Sequence, residues 1–332
     1  MECTPNLIEL ASRYWESAAL NAAVSLGLFP RLAASPATAE EICRDLHTAS
    51  PHTEALLDSL CGLGILSKSS AQYRLKTELI PLLDPDSPDC LLGALTLNAD
   101  LFQLWSKLPD CIRAGSPVLP ANPHLGGDPA RTRRFVEGMH SRAGIMARGL
   151  VPALVPEPHS RILDLGGGPG TFSIKLLERD STLTATVMDL PPIVQAAAEI
   201  HAGHPALDRL TFLQGDYHTA ALPPDQDLIL YCGALHQEPE DRLPELFEKI
   251  KAALKPAGSL CVVDLMLSYD RTQPVYSSLF QLNMMLMRPA SRVHSIGTLQ
   301  SLLRDAGFTS SPPASLTGTP YTLIQASHTH AS

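Results

Sequence analysis

The chain has 332 residues, of which 45% are hydrophobic and 18% charged, with a net charge of −9. That length allows one large or two ordinary domains with ample core, and the composition is that of a soluble globular protein. The acidic balance extends to the first 90 residues and argues against a polyanion partner such as DNA. No apolar run reaches membrane-spanning length. Met1-Glu2-Cys3-Thr4 lacks the basic start and apolar core of a signal peptide. Cys3, Cys43, Cys61, Cys90, Cys111, Cys232 and Cys261 are scattered and never spaced C-x-x-C. They read as reduced thiols of a cytoplasmic protein rather than as disulfides or a zinc site.

Helical signals fill the first part of the chain. Leu7, Leu10, Tyr14, Ala18 and Ala22 recur at helical spacing and predict an apolar face. Thr38-x-x-Glu41 is a capping box ahead of Ile42 and Leu46, and Pro51 opens the next helix. Ile65-Leu66 and Tyr73-Arg74-Leu75 flank a polar turn, which predicts a small hairpin and so a winged-helix pattern. A helix is expected over 92–108, a Pro- and Gly-rich loop over 114–128, and a long helix over 133–151. The expected units are 1–95, a helical connector 96–152 and a second domain 153–328, with a frayed end over 328–332.

The second domain starts with the most informative stretch, R-I-L-D-L-G-G-G-P-G over 161–170. An apolar strand ends near Asp164 and a helical pattern starts at Thr171. Between them lie glycines that let a ligand approach backbone any Cβ would block, next to the free N–H groups of a helix start. Thr171 stands where a dinucleotide fingerprint wants Gly or Ala. A second strand, 183–187, leads to Asp189-Leu190, where an acid can accept two ribose hydroxyls. A third, 210–213, leads to Gln214-Gly215-Asp216-Tyr217. A fourth, 227–231, leads through Tyr231 and Cys232 to His236, and a fifth, 259–265, carries Asp264. Polar groups thus recur at the carboxyl ends of successive strands, where open α/β sheets bind ligands.

The order D-L-G-G-G-P-G, M-D-L-P, G-D-Y, A-L-H, K-P-A-G resembles that of class I S-adenosylmethionine-dependent methyltransferases. More narrowly, it looks like the small-molecule O-methyltransferases that include the hydroxyindole and plant phenolic enzymes. The resemblance implies an α/β fold: a Rossmann-like, doubly wound, seven-stranded methyltransferase sheet with an N-terminal, mostly helical, winged-helix-like dimerisation domain. It also implies a homodimer, with S-adenosyl-L-methionine as cofactor. Asp164, Gly166, Gly168, Asp189, Leu190, Asp216, Tyr217, Tyr231 and Cys232 fall at the cofactor positions. F-V-E-G-M-H (135–140) matches the helix entering the family's catalytic domain, and L-N-M-M (282–285) matches a helix lining its substrate pocket. Phe135, Met139, His140, Asn283, Met284 and Met287 are therefore the expected contacts to a small-molecule acceptor, with Leu101, Phe102 and Trp105 closing it.

Methyl transfer from a sulfonium needs an aligned nucleophile relieved of its proton. Alignment is worth roughly 7–11 kcal/mol and a general base about 10²–10⁴ in rate. In relatives the histidine at the position of His236 deprotonates the acceptor hydroxyl, and an acid at that of Asp264 flanks it. The chain departs from the family in two places. Gln237 replaces the usual Asp after the histidine, and Val293, beside His294, replaces a second acid. Either Asp264 suffices, His294 or Gln237 substitutes as a polar contact, or the acceptor is acidic enough to need little help. Other readings are a carbon or nitrogen acceptor, a dinucleotide-dependent oxidoreductase, and a winged-helix regulator. No metal-ligand cluster is visible.

Overall fold

The computed structural model describes residues 6–118, 128–288 and 291–328. The expectations for Met1–Thr4 and Cys3, for most of the 114–128 loop, and for residues 329–332 of the frayed end fall outside these. The chain divides into two compact units, Met1–Gln103 and Leu104–Ser332.

The first unit holds α1 (Leu7–Ser12), α2 (Tyr14–Ser25), α3 (Leu28–Ala34), β1 (Ala37–Thr38), α4 (Ala39–Leu46), α5 (Ser50–Gly62), β2 (Leu66–Ser69), β3 (Gln72–Leu75), α6 (Ile80–Leu83) and α7 (Leu92–Phe102). The capping box is formed: Thr38 accepts from the Glu41 N–H while the Glu41 carboxylate takes the Thr38 N–H. Pro51 lies in the first turn of α5. The β2–β3 hairpin gains β1 as a third antiparallel strand, a pairing too short to leave a sequence signal. Ala23, Phe29, Ile42, Leu57 and Leu60 are buried together with Leu66, Tyr73 and Leu75 of the hairpin and form the unit's core.

The second unit opens with α8 (Leu108–Ala114) and α9 (Pro129–Ala153). The single helix expected over 92–108 instead stops at Phe102, passes through a 3₁₀ turn over Gln103–Lys107, and restarts at Leu108. Pro109 fits the restart, because its missing N–H and fixed φ suit the first turn of a new helix and would interrupt the ladder of a continuing one. The long helix begins earlier than expected, since Asp128 accepts from the Arg131 N–H and Pro129 suits the first helical position.

Then follow β4 (Arg161–Leu165), α10 (Thr171–Arg179), β5 (Thr184–Asp189), α11 (Pro191–Ile200), β6 (Leu210–Gln214), β7 (Gln226–Cys232), α12 (Leu243–Ala253), β8 (Leu254–Asp264), α13 (Val275–Met287), α14 (Ile296–Asp305), β9 (Phe308–Ser310), β10 (Ala314–Ser315) and β11 (Thr322–His328). The sheet order is β10-β11-β8-β7-β4-β5-β6, with β9 also on β11. The strands from β8 across to β6 are parallel, and β11 is antiparallel to β8. Eight strands therefore make a sheet seven positions wide: β9 and β10 share the outer edge of β11, interrupted at Pro312-Pro313, which have no N–H to pair.

Apolar side chains from alternate strand positions fill both faces. One core packs Leu150, Phe172 and Leu176 against Leu230 and Val263; the other packs Phe247, Ile250 and Leu299 against Leu163 and Ile229. Double winding aligns the carboxyl ends of β4 to β8 along one rim.

Candidate active site

Two groups of residues stand on that rim. The first surrounds the glycine loop after β4. Gly168 has φ +55° and open space where a Cβ would sit, so a ligand can lie against the backbone there. A Cβ at Gly167, by contrast, would fall 2.6 Å from the Asp164 carboxyl carbon. Asp189, at the end of β5, holds the loop: its carboxylate accepts the Gly168 N–H at 2.8 Å and the Leu190 N–H at 2.7 Å. A carboxylate has about four acceptor sites, so two remain for hydroxyls. Burial pushes the Asp189 carboxyl up, against those two backbone donors. Asp164 is wholly buried. One oxygen accepts from Ser173 Oγ at 2.8 Å, and Oδ1 has no partner. Burial raises its pKa to about 7, opposed by Ser173 and reinforced by Asp189.

The Asp216-Tyr217 loop follows β6. Asp216 caps its own turn by accepting the His218 N–H at 2.9 Å. The Tyr217 ring is turned inward, edge-on to Tyr231 at 6.1 Å, and its hydroxyl donates to Glu238 at 2.6 Å. Lys249 donates to the carbonyls of Tyr217, His218 and Ala220. Tyr231 and Cys232 point to opposite faces of β7 and lie in the two cores, so only their backbone reaches the rim.

The second group is built on β7 and β8. His236 sits in the 3₁₀ turn Leu235–Gln237 after β7, with its side chain 14% exposed. Its Nδ1 lies 2.9 and 3.1 Å from the two oxygens of Asp264, and its backbone N–H donates to the same carboxylate at 3.0 Å. The Leu265 N–H supplies a further donor at 2.7 Å. A buried carboxylate on Nδ1 leaves Nε2 as the basic nitrogen. Phe280 packs edge-on to the imidazole at 5.0 Å.

Along α13, Phe280 shares one stripe with Asn283, Met284 and Met287, which follow it by three, four and seven positions. Asn283 Oδ1 accepts from Trp105 Nε1 at 3.2 Å, while Met284 is buried and Met287 half-buried. The α9 residues divide. Met139 is half-buried. Phe135 packs with Ile193, Ala197 and Phe212 in a satellite core. His140 goes to the cofactor side: its Nδ1 is 2.9 Å from Thr171 Oγ1, and its ring is edge-on to His201 at 5.0 Å. A 25-residue helix turns successive residues to different neighbours, so F-V-E-G-M-H cannot all face one cavity.

At the sites of departure, Val293 is fully buried, and His294 Nε2 lies 3.0 Å from the Glu238 carbonyl oxygen. Glu238, Phe280 and His201 escaped the sequence reading. Only Glu238, two positions after His236, had a signal in its spacing.

Residues 115–309 match the O-methyltransferase domain family, and residues 8–78 match the O-methyltransferase dimerisation domain. The chain belongs to the O-methyltransferase family. It is an S-adenosylmethionine-dependent O-methyltransferase. Among relatives, it is 30% identical to the tetracenomycin polyketide synthesis 8-O-methyl transferase TcmO of Streptomyces glaucescens, over 92% of this chain and 91% of that protein. It is 28% identical to the N,N-dimethyltransferase OxyT of Streptomyces rimosus, over 91% of this chain and 90% of that one. Human N-acetylserotonin methyltransferase, solved in complex with SAM, shares the fold at a TM-score of 0.86, with 24% identity and 99% of each chain covered. The glycine loop fits this cofactor. Open space over Gly168 admits it, two carboxyls pushed upward by burial, Asp164 and the half-buried Asp189, suit a cationic ligand, and the unpartnered Asp164 oxygen can take a donor. No described helix is long and apolar enough to cross a membrane.

Proposed function

We propose that the acceptor is a hydroxyl on a small aromatic or polyketide-like molecule, that His236 removes its proton, and that Asp264 orients His236. The observation that carries this reading is the His236–Asp264 pair beside the Phe280, Asn283, Met284 and Met287 stripe. The cofactor, when bound, supplies an electrophilic methyl group on a sulfonium. Asp189 is assigned to its ribose, Asp216 and the Tyr217 backbone to its adenine, and Gly166, Gly168 and Asp164 to its amino-acid end. Asp264 holds the Nδ1–H, so the acceptor proton passes to Nε2 and the resulting imidazolium faces a carboxylate. Phe280 shields the ring from water. Met284 and Met287 offer adaptable apolar surface to a flat ring, and Asn283 can hydrogen-bond a ring substituent. TcmO's role in polyketide synthesis supports the aromatic acceptor.

The OxyT likeness raises a second activity of the same site, on a nitrogen acceptor. Parallel assays with 1-naphthol and 1-aminonaphthalene separate the two. On the first reading, His236→Ala lowers turnover of 1-naphthol by about 10²–10⁴ and leaves S-adenosylhomocysteine affinity within about twofold. A drop in turnover of less than about threefold would remove the base role.

The protein is also read as a cytoplasmic homodimer. Leu7, Ile8, Leu10, Tyr14 and Trp15 on α1 and α2 are exposed apolar side chains in the matched dimerisation domain. The six described cysteines are free. Sedimentation of the purified chain tests the dimer.

A further inference from the structure

Glu238 lies just beyond the base, and the chemistry above makes no use of it. Its side chain is 6% exposed, and an ionised carboxylate at that depth is costly unless donors surround it. Its donors come from the cofactor side of the site. The Tyr217 hydroxyl donates at 2.6 Å, and His218 Nε2 stands 3.0 Å away. The Glu238 main chain belongs instead to the base side. Its N–H donates to the Leu235 carbonyl at 3.0 Å, and its own carbonyl lies 3.0 Å from His294 Nε2. The Arg292 N–H donates to the His236 carbonyl at 3.1 Å, so the segment carrying His294 grips the same turn.

Tyr217 is the other half of the link. A Cβ on Gly166 would lie 3.3 Å from both the Tyr217 ring and the Ala234 methyl. The ring is thus wedged between the glycine loop and the residues leading to His236, and its hydroxyl reaches past them to Glu238. Three segments that must agree on where the methyl and the acceptor meet therefore converge on one hydrogen bond.

We infer that Glu238 is a positioning residue for methyl transfer: through the Tyr217 hydroxyl, its carboxylate locks the Asp216-Tyr217 loop to the turn that carries His236. Cofactor and base are then held in register by one buried group. This rests on the assignment of Asp216-Tyr217 to the cofactor and of His236 to the base.

The test is a mutant cycle of Tyr217→Phe, Glu238→Ala and the double variant in the full chain, with Glu238→Gln as the conservative control. S-adenosylhomocysteine is titrated calorimetrically, and kcat and the cofactor KM are measured with 1-naphthol. Each single loss is expected to weaken binding by about tenfold, since a hydrogen bond to a charged group is removed. The double variant should be no worse than either single one, because both remove the same bond. At saturating cofactor, kcat should also fall by about tenfold, as misplacement of the base predicts. Glu238→Gln, which keeps an acceptor oxygen for Tyr217, should recover most of both.

Losses that simply add would mean Glu238 acts independently of Tyr217, and would overturn the inference. So would a lowered melting temperature with binding and kcat unchanged within about twofold, which is the mark of a merely structural residue. If Glu238→Ala does not fold, Tyr217→Phe and Glu238→Gln still decide. If the wild type binds the probe but leaves 1-naphthol untouched, the failure lies with the acceptor reading, and the calorimetric cycle still judges Glu238.

Discussion

Asp164 and Asp264 lie at the carboxyl ends of two strands of the same sheet, one residue short of the end in β4 and last in β8, and both are fully buried, yet the chain treats them differently. Asp264 is satisfied from within: both its oxygens accept, from the His236 ring, the His236 N–H and the Leu265 N–H. Asp164 has only Ser173 on one oxygen and nothing on the other, and its pKa rises to about 7. The base is oriented by the protein's own groups, while the cofactor cradle holds a buried carboxyl oxygen, Asp164 Oδ1, short of a donor. Preorganised orientation suits proton transfer, and an unsatisfied cradle suits a ligand that brings its own positive charge.

The same substitution at both sites should give opposite results. Asp264→Asn presents an amide donor towards Nδ1, favours the wrong tautomer and removes the charge facing the imidazolium. Turnover of 1-naphthol should fall by about a hundredfold or more, with S-adenosylhomocysteine affinity nearly unchanged. Equal damage to affinity would show that the two regions are not separable.

Asp189→Ala should do the reverse, weakening S-adenosylhomocysteine by about a hundredfold in calorimetry through loss of two charge-assisted bonds. Retained affinity would remove Asp189 from the ribose.

Asp164→Asn should be the mildest of the three for binding, at about threefold, because the wild-type carboxyl is already largely neutral below its raised pKa. Its stability effect depends on pH. A carboxyl raised from 3.8 to about 7 gives stability that is full below 3.8 and lost as pH rises towards 7. Without cofactor, the Asn variant should therefore melt higher than wild type at pH 8, and no higher at pH 4.

His201 sharpens the contrast from the acid side. Burial, with His140, His204 and Lys175 nearby, lowers its pKa from 6.5 to about 4, against the opposing pull of the Pro169 backbone. A depressed histidine gives stability that is present above 6.5 and lost as pH falls to 4. His201→Gln should flatten the fall in melting temperature across that window. An unchanged slope would assign the acid lability elsewhere.

Much of this was legible in the sequence because it rests on local rules. The glycine loop, the acids that end β5 and β8, the capping box at Thr38 and the wing hairpin each follow from spacing and backbone chemistry. The matched family and its cofactor agree with the motif order. The illegible parts depend on tertiary partners. His140 and Phe135 look alike as residues of one helical motif, but helix rotation turns one to Thr171 and the other to Ile193 and Phe212. Glu238 reads as an ordinary turn acid until Tyr217 is folded onto it. The restart at Leu108 was available from Pro109. The β9–β10 edge was not, since two- and three-residue strands leave no period to count.

Lys249 has a consequence for chemical footprinting. Its ammonium gives a hydrogen bond to each of three carbonyls in a single loop. A lysine so engaged has no free lone pair for acylation until that loop lets go. Among the chain's lysines it should be one of the last to react with an amine reagent. The moment it does react marks when the segment after β6 has opened, which makes this one side chain a built-in clock for local unfolding.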